Sequence, residues 1–142
     1  MSGTNLVSQR VGRRLLQLFV ALGLWVAAAR PALAQTETVL HSFASGDDGE
    51  YPQSGVVVDA QGNLYGTTSE GGDLSCDAPY GCGTVFELHP DGTGTELHSF
   101  TGGMDGDSPW AGVVFDAQGS LYGTTGHGGV YGYGTVFKLT PQ

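Results

Sequence analysis

From residue 38 onward, short apolar runs alternate with segments rich in Gly, Asp, Asn and Pro. The runs are four to seven residues long and contain many Val, Thr, Tyr and Phe residues. Such runs with turn residues between them predict strands joined by tight turns and argue against helices. Two of the separators, DAQG at 59–62 and PDG at 90–92, have the composition of tight turns. The pattern therefore predicts an all-β fold.

The predicted strands form two sets of four, in one copy of a repeat at 38–90 and a second copy at 95–141. They span residues 38–43, 55–59, 63–68 and 83–89 in the first copy and 96–100, 112–116, 120–125 and 134–140 in the second. Four antiparallel strands in about fifty residues is the period of a propeller blade. We expect antiparallel β-meander repeats that make about two blades, an incomplete propeller because rings usually have at least four.

The two copies are aligned by two motifs. LHSF begins at Leu40 and again at Leu97, a shift of 57, and 22 of the 33 residues that follow from these points are identical. GTVF begins at Gly83 and again at Gly134, a shift of only 51. The first copy therefore has six extra residues shortly before its GTVF motif.

Residues 1–34 have the pattern of a signal peptide. Three arginines precede an apolar segment at 15–29, and small residues follow up to Ala34. The apolar segment is shorter than the roughly 20 residues that a membrane span needs. We expect cleavage between Ala34 and Gln35, an extracytoplasmic location and no stable membrane span afterwards. The general secretory and twin-arginine routes both remain open.

Charge is distributed unevenly between this segment and the rest of the chain. Four of the five basic residues lie within the first thirty positions, whereas all fourteen acidic residues follow Thr36. After cleavage, one lysine would face fourteen carboxylates, a formal charge of −13. Such a surface repels phosphate backbones, which argues against a nucleic-acid partner.

Cys76 and Cys82 are the only cysteines, and both lie in the enlarged segment of the first copy. Their spacing is not C-x-x-C, and no second Cys or His pair accompanies them, so a metal or redox site is poorly supported. Since disulfides persist outside the cytoplasm, we expect these residues to form a structural disulfide.

Four motifs recur in a fixed order, among them DAQGNLYGTT, GTVF-x-L-x-P and LHSF. Together they resemble the GloVer tandem repeat, found in exported bacterial proteins that usually carry many copies and a C-terminal sorting anchor. The resemblance covers nearly all of residues 38–141. It implies an extracellular, propeller-like repeat protein and supplies no catalytic residues to carry over. Because two copies are fewer than usual, a fragment of a longer array is an alternative.

Two aligned acidic loops, at 46–50 and 103–107, are candidate Ca²⁺ sites, because Ca²⁺ prefers several closely spaced oxygen ligands. The EF-hand pattern is absent, and Asp-Gly is also the usual composition of a tight turn. A turn is therefore the competing interpretation, and we expect no other cofactor. The candidate ligands are Asp47, Asp48, Glu50, Asp105 and Asp107.

Exposed aromatic side chains in loops could stack on sugar rings, which is one way for an exported protein to bind a glycan. Alternatively, they cover the ends of a thin, Gly-rich core. The candidates are Tyr51, Tyr80, Trp110, Tyr131 and Tyr133.

The repeated polar residues have simpler interpretations. His41 and His98 occupy the same position of the LHSF motif, and their repetition favours hydrogen bonds to a neighbouring turn over catalysis or metal binding. Asp59 and Asp116 precede the AQG turns, and we expect them to cap those turns.

The sequence contains no G-x-S-x-G or H-E-x-x-H motif and no glycine loop of the kind that binds phosphate. We expect an exported β-repeat protein with a structural or binding role, an interaction scaffold for a glycan or protein partner. Self-association would be one way to complete a propeller. A propeller-type enzyme, a lyase or a glycan hydrolase, is the alternative, and enzymatic activity stays uncertain.

Overall fold

A computed structural model describes residues 35–141 of the chain. The predicted signal peptide lies outside the described residues, so its cleavage at Ala34 remains a prediction. Within the described part, seven strands and one short 3₁₀ turn make up the regular structure, with no α-helix. The strands are β1 (Val57–Val58), β2 (Leu64–Thr68), β3 (Thr84–Leu88), β4 (Gly94–Ser99), β5 (Val114–Phe115), β6 (Leu121–Thr124) and β7 (Val136–Leu139), and the 3₁₀ turn is Gly46–Asp48.

The strands form two antiparallel sheets, in which each strand pairs with its neighbour in the sequence. The first sheet has the order β1-β2-β3-β4 and the second the order β5-β6-β7. The prediction of an all-β fold made of antiparallel, blade-like meanders is therefore confirmed. The first sheet crosses the boundary between the sequence copies, because its last strand, β4, contains the first three residues of the LHSF motif of the second copy.

The prediction of a strand at residues 38–43 was wrong. The sequence TVLHSF at this position has no strand structure, although the nearly identical TELHSF lies largely within β4. The difference is that β4 lies beside β3 and pairs with it, whereas residues 38–43 are not paired with any strand in the described part of the chain. A strand needs backbone hydrogen bonds from a neighbour, so the local sequence alone does not decide it.

The turns after β1 and β5 are capped as predicted. One carboxylate oxygen of Asp59 accepts hydrogen bonds from the backbone N–H groups of Gln61 and Asn63, at 2.9 and 2.8 Å. Asp116 accepts the equivalent bonds from Gln118 and Ser120, at 2.9 and 2.8 Å. These bonds pair backbone N–H groups that the turn between two strands leaves without a partner. The conformation of each turn is therefore determined by the residues of the turn itself.

The hydrophobic core lies between the two sheets. Phe100, just after β4, is fully buried and packs edge-on against Phe137 of β7, with 5.1 Å between ring centres. Val85 of β3 and Leu121 of β6 belong to the same buried cluster. The two repeats therefore share one core.

No helix within residues 35–141 is long and apolar enough to cross a membrane.

Candidate functional site

The LHSF motifs and the acidic loops that follow them are joined by hydrogen bonds. In the first copy, Asp48 accepts a hydrogen bond from the N–H of Ala44 at 2.7 Å and lies 2.9 Å from Nε2 of His41. The His41 ring also packs edge-on against Phe43, at 4.8 Å between ring centres. This histidine therefore bonds to a neighbouring turn, as its repetition predicts.

The second copy repeats this arrangement. Asp105 accepts hydrogen bonds from the backbone N–H and the hydroxyl of Thr101, and its carboxylate lies 3.3 Å from Nε2 of His98. Burial by itself would raise the pKa of Asp105, but its hydrogen bonds, the two from Thr101 foremost, and the nearby His98 together lower the pKa. The histidine packs edge-on against Phe100 at 4.7 Å. The His–Asp pair thus holds the loop after each LHSF motif.

The other predicted Ca²⁺ ligands have separate local roles. Glu50 accepts a hydrogen bond from the Ser45 hydroxyl, and Asp107 accepts one from the Ser108 hydroxyl at 2.7 Å. Asp47 is exposed in the middle of the 3₁₀ turn. Within residues 35–141 there is no cluster of three or more His, Cys, Asp or Glu side chains placed to hold a metal. The structure thus adds no support for Ca²⁺ binding at these carboxylates, which stays a prediction.

Cys76 and Cys82 lie at disulfide-bonding positions, with 5.7 Å between their Cα atoms. The pair supports the predicted disulfide, and the structure adds what it contacts. Cys82 is almost fully buried in the shared core, and its carbonyl accepts a hydrogen bond from the N–H of Ser108 at 3.0 Å. Gly102 lies so close to both sulfur atoms that a side chain there would collide with Cys76. The enlarged loop of the first copy therefore packs against the start of the second.

The predicted stacking aromatics do not converge on one site. Tyr131 and Tyr133 border one shallow depression together with Met104 and Val130, whereas Tyr51 borders a different groove beside Phe43. Tyr80 is exposed in the enlarged loop of the first copy. Trp110 packs edge-on against His127, at 5.1 Å between ring centres, and covers Gly126.

We call the surface formed by Val130, Tyr131, Tyr133 and Val136 the distal face of the second sheet. Val136 is 80% exposed, although Val85, at the same position of the GTVF motif, is 0% exposed. Tyr133 is 92% exposed, and its counterpart Cys82 is 1% exposed. Positions that the first sheet buries against the second repeat are thus uncovered in the second sheet.

We call the opposite end, formed by Phe43, Pro52 and Val56, the proximal face of the first repeat. Val56 is 48% exposed, whereas its counterpart Val113 is 2% exposed. Pro52 is also exposed, although the matching Pro109 is fully buried. The molecule therefore carries two apolar faces that match the two sides of its own internal interface.

A cleft of about 750 Å³ lies between the two sheets and is lined by charged groups. Glu87 accepts a hydrogen bond from the Tyr65 hydroxyl at 2.8 Å, and burial followed by this bond raises the pKa of Tyr65. The ammonium group of Lys138 lies 5.2 Å from the ring centre of Tyr122. Burial, and then the negative charge of Asp47, raise the pKa of Glu96, which also borders the cleft.

The cleft residues were missed in the sequence because the strand register brings them together. Tyr65 lies opposite Glu87 in the pairing of β2 with β3, although 22 residues separate them. The signal that could have identified them is Lys138, the only lysine of the chain, which stands where the first copy has Glu87. Such a change at a repeated position marks a site where the two copies differ chemically.

Comparison with known proteins agrees with the repeat pattern. The sequence model of the Gloeobacter/Verrucomicrobia repeat matches residues 29–142, most of the chain. No curated protein matches the chain. The described strands, turns and LHSF loops are therefore the structural form of this repeat, and the chain belongs to the Gloeobacter/Verrucomicrobia repeat family.

Proposed function

We propose that this chain is an exported interaction scaffold that binds a protein partner through the distal face of its second sheet. The observation that carries the proposal is the difference in exposure between equivalent positions of the two repeats. Val136 and Tyr133 are 80% and 92% exposed, whereas their counterparts in the first sheet are almost fully buried. Large exposed apolar patches are typical of protein-binding surfaces.

The repeated polar side chains support a scaffold because they hold the repeat together. Each LHSF histidine lies within 3.3 Å of an aspartate in the next loop, and each of the two AQG turns is capped by its own aspartate. The largest exposed aromatic surface lies where the copies differ, at Tyr131 and Tyr133. A binding function is therefore expected at the distal face and not at the repeated positions.

Export is part of the proposal, supported by the signal-peptide pattern and by the disulfide pair, which persists in an oxidising compartment. A fusion of alkaline phosphatase after Gln142 tests it, because this reporter is active only after export. We expect phosphatase activity with the whole chain and none when residues 1–34 are deleted. Equal activity of the two fusions would contradict export.

An exported enzyme is the alternative, favoured by the cleft between the sheets, which is lined by Glu87, Glu96 and His98. A lyase or glycan hydrolase needs carboxylates or bases placed around a bound sugar. Turnover of acidic or neutral polysaccharides by the purified protein, abolished by Glu96→Gln, would support the enzyme over the scaffold.

Residue-level labelling of tyrosines tests the binding face. The exported protein is treated with hydroxyl radicals in intact cells, and a dilute purified sample is treated in the same way. We expect Tyr133 to be oxidised several-fold more slowly in the cells, because a partner covers it. Tyr80, which is 57% exposed in the enlarged loop, is the matched control and should react equally in both samples. Equal oxidation of Tyr133 in the two samples would overturn the proposal.

A further inference from the structure

We propose that the partner of the distal face is a second copy of this chain, which adds its residues 38–43 as a fourth strand beside β7. This inference rests on the proposed function, since it names the occupant of the same face. The second sheet has three strands where the first has four, and its missing position is the one next to β7. The outer edge of β7 is not paired within the described residues, so its backbone groups can accept another strand.

The contact inside one chain serves as the template. β4 pairs with β3, and Phe100 at its end packs on Phe137 of the following sheet with 5.1 Å between ring centres. Phe43 ends the other LHSF motif and packs on Phe86 of the first sheet at the same distance, 5.1 Å. Residues 38–43 therefore already sit against the first sheet as β4 sits against the second. Unlike β4, residues 38–43 do not pair with the edge strand of a sheet within the described part of the chain.

The sequences of the two pairing segments match those of the template. The donated segment TVLHSF differs from TELHSF, which begins at Thr95, at one position. β7 lies within TVFKL, which differs from the TVFEL of β3 at one position. The two kinds of segment that form an antiparallel ladder between β3 and β4 are thus each present a second time, near opposite ends of the described residues.

The template also predicts the register of the new pair. Thr84 pairs with Ser99 in the first sheet, and Val85 pairs with His98. The same register places Thr135 of one copy opposite Ser42 of the next. Val136 then lies opposite His41, and the added strand covers the 80% exposed valine.

The proximal face supplies the rest of the interface. Val113 and Pro109 are buried where the second repeat meets the first sheet, whereas the matching Val56 and Pro52 are exposed. Binding of one copy's proximal face to another copy's distal face would bury these residues in the same way. The residues that define the two faces are apolar, but Glu50 borders the groove of the proximal face and Lys138 lies on the same side of β7 as Val136.

The contact is head-to-tail, because the two faces differ and each copy has one of each. Such heterologous contacts close into a ring when the rotation per copy allows it and otherwise continue as a filament. Propellers typically have four to eight blades, so a closed ring of this chain would contain two to four copies. Two copies give four sheets and three copies give six.

The mass of the assembly tests the proposal. The whole chain is expressed with its export signal, purified from the periplasm and measured by sedimentation velocity at increasing concentration. We expect two to four times the mass of one copy, and a single-copy mass for Val136→Asp, which places a charge in the interface. Leu74→Asp is the matched control, since Leu74 is exposed in the enlarged loop, and should assemble like the unchanged protein. A single-copy mass for the unchanged protein at every concentration would overturn the proposal.

Cross-linking tests the register independently of any loss of folding. The variant Ser42→Cys with Thr135→Cys should form disulfide-linked multimers, because directly paired residues in a sheet have Cα atoms within disulfide reach. Ser42→Cys with Lys138→Cys is the matched control, displaced by three residues or about 10 Å along the strand. Multimers of the first variant alone would support the proposal, and equal cross-linking of both would overturn it. Circular dichroism verifies that both variants are folded.

The two proposals fail in distinguishable ways. Protection of Tyr133 in cells together with a single-copy mass after purification would retain the binding face but assign it to a different protein. Free oxidation of Tyr133 in cells and a single-copy mass would remove both proposals. Protection and assembly together support both.

Discussion

Val85 and Val136 occupy the same position of the same motif, yet the first is fully buried and the second is 80% exposed. The local sequences are TVFEL and TVFKL, and both form the third strand of a meander. What differs is that a fourth strand and a second sheet cover the first valine. Burial in this repeat is therefore set by the neighbouring repeat and not by the residues of the repeat itself.

The two LHSF motifs also show that burial depends on the neighbouring repeat. Phe100 is fully buried between the sheets, whereas Phe43 packs on the first sheet and is half-buried. Both rings make an edge-on contact at 5.1 Å with the phenylalanine of a GTVF motif. Within residues 35–141, one half of the interface is thus present on each side, and the complete interface is present once, between the two sheets.

The largest expected effect comes from breaking the middle interface. Phe100→Ala removes a fully buried ring from the core that both sheets share, and such truncations lower the free energy of unfolding by about 3–5 kcal/mol. Phe43→Ala removes a half-buried ring and should lower it by clearly less in dilute solution. Equilibrium urea unfolding at low protein concentration measures both.

The difference between Phe43→Ala and Phe100→Ala should depend on the protein concentration. If a second copy covers the proximal face, the destabilisation caused by Phe43→Ala should increase as the protein concentration rises, whereas that of Phe100→Ala should not. Phe100→Leu keeps most of the apolar volume and serves in case Phe100→Ala does not fold. Equal destabilisation by the two alanine variants in dilute solution would contradict the difference in burial.

An intermediate effect is expected from the disulfide that distinguishes the first repeat. Closing a loop of seven residues contributes about 2 kcal/mol on the chain-entropy estimate, so Cys76→Ala with Cys82→Ala should lower the free energy of unfolding by roughly that amount. Because Cys82 also packs in the shared core, the loss should appear as destabilisation of the whole domain. Urea unfolding of the variant measures it.

The unchanged protein, reduced by dithiothreitol, is the control for this variant. Reduction breaks the bond but keeps the packing of the Cys82 side chain, so it should destabilise slightly less than the double alanine change. No change in unfolding under either condition would show that the enlarged loop is independent of the core.

The smallest effects are expected at the two capped turns, where the repeats are alike. Hydrogen bonds from Asn63 and Ser120 are among the causes that lower the pKa values of Asp59 and Asp116, against burial, which raises them. A carboxyl whose folded pKa lies below its unfolded value of about 4 stabilises the fold above that pH. This contribution is lost as the pH falls through the lowered folded pKa.

Asp59→Asn and Asp116→Asn should therefore each flatten the loss of stability below pH 4, and by similar amounts, because both turns have the same backbone bonds. Thermal unfolding between pH 2 and 7 measures the change. Glu96→Gln is the control of opposite sign, since burial and Asp47 raise the pKa of Glu96. Removing its charge should increase stability slightly near neutral pH. Very different slopes for the two aspartate variants would show that the turns depend on the neighbouring sheet.

Features that depend on nearby residues were predictable from the sequence. The DAQG turns form because Asp59 and Asp116 bond to backbone groups two to four residues away. The Cys76–Cys82 pair spans six residues, and the short β-hairpins β1–β2, β3–β4 and β5–β6 follow from apolar runs and turns. The repeat and its family were also predictable, because identical residues in two copies can be recognised without a structure.

Features that depend on distant residues were decided by the tertiary structure. TVLHSF and TELHSF differ by one residue, but the second lies largely within a strand because β3 offers its backbone groups, whereas the first has no such neighbour in the described part of the chain. The cleft pair Tyr65 and Glu87 depends on the register of two strands. The sequence by itself determined what each repeat can form, and packing between repeats determined which positions are paired, buried or left open to a partner.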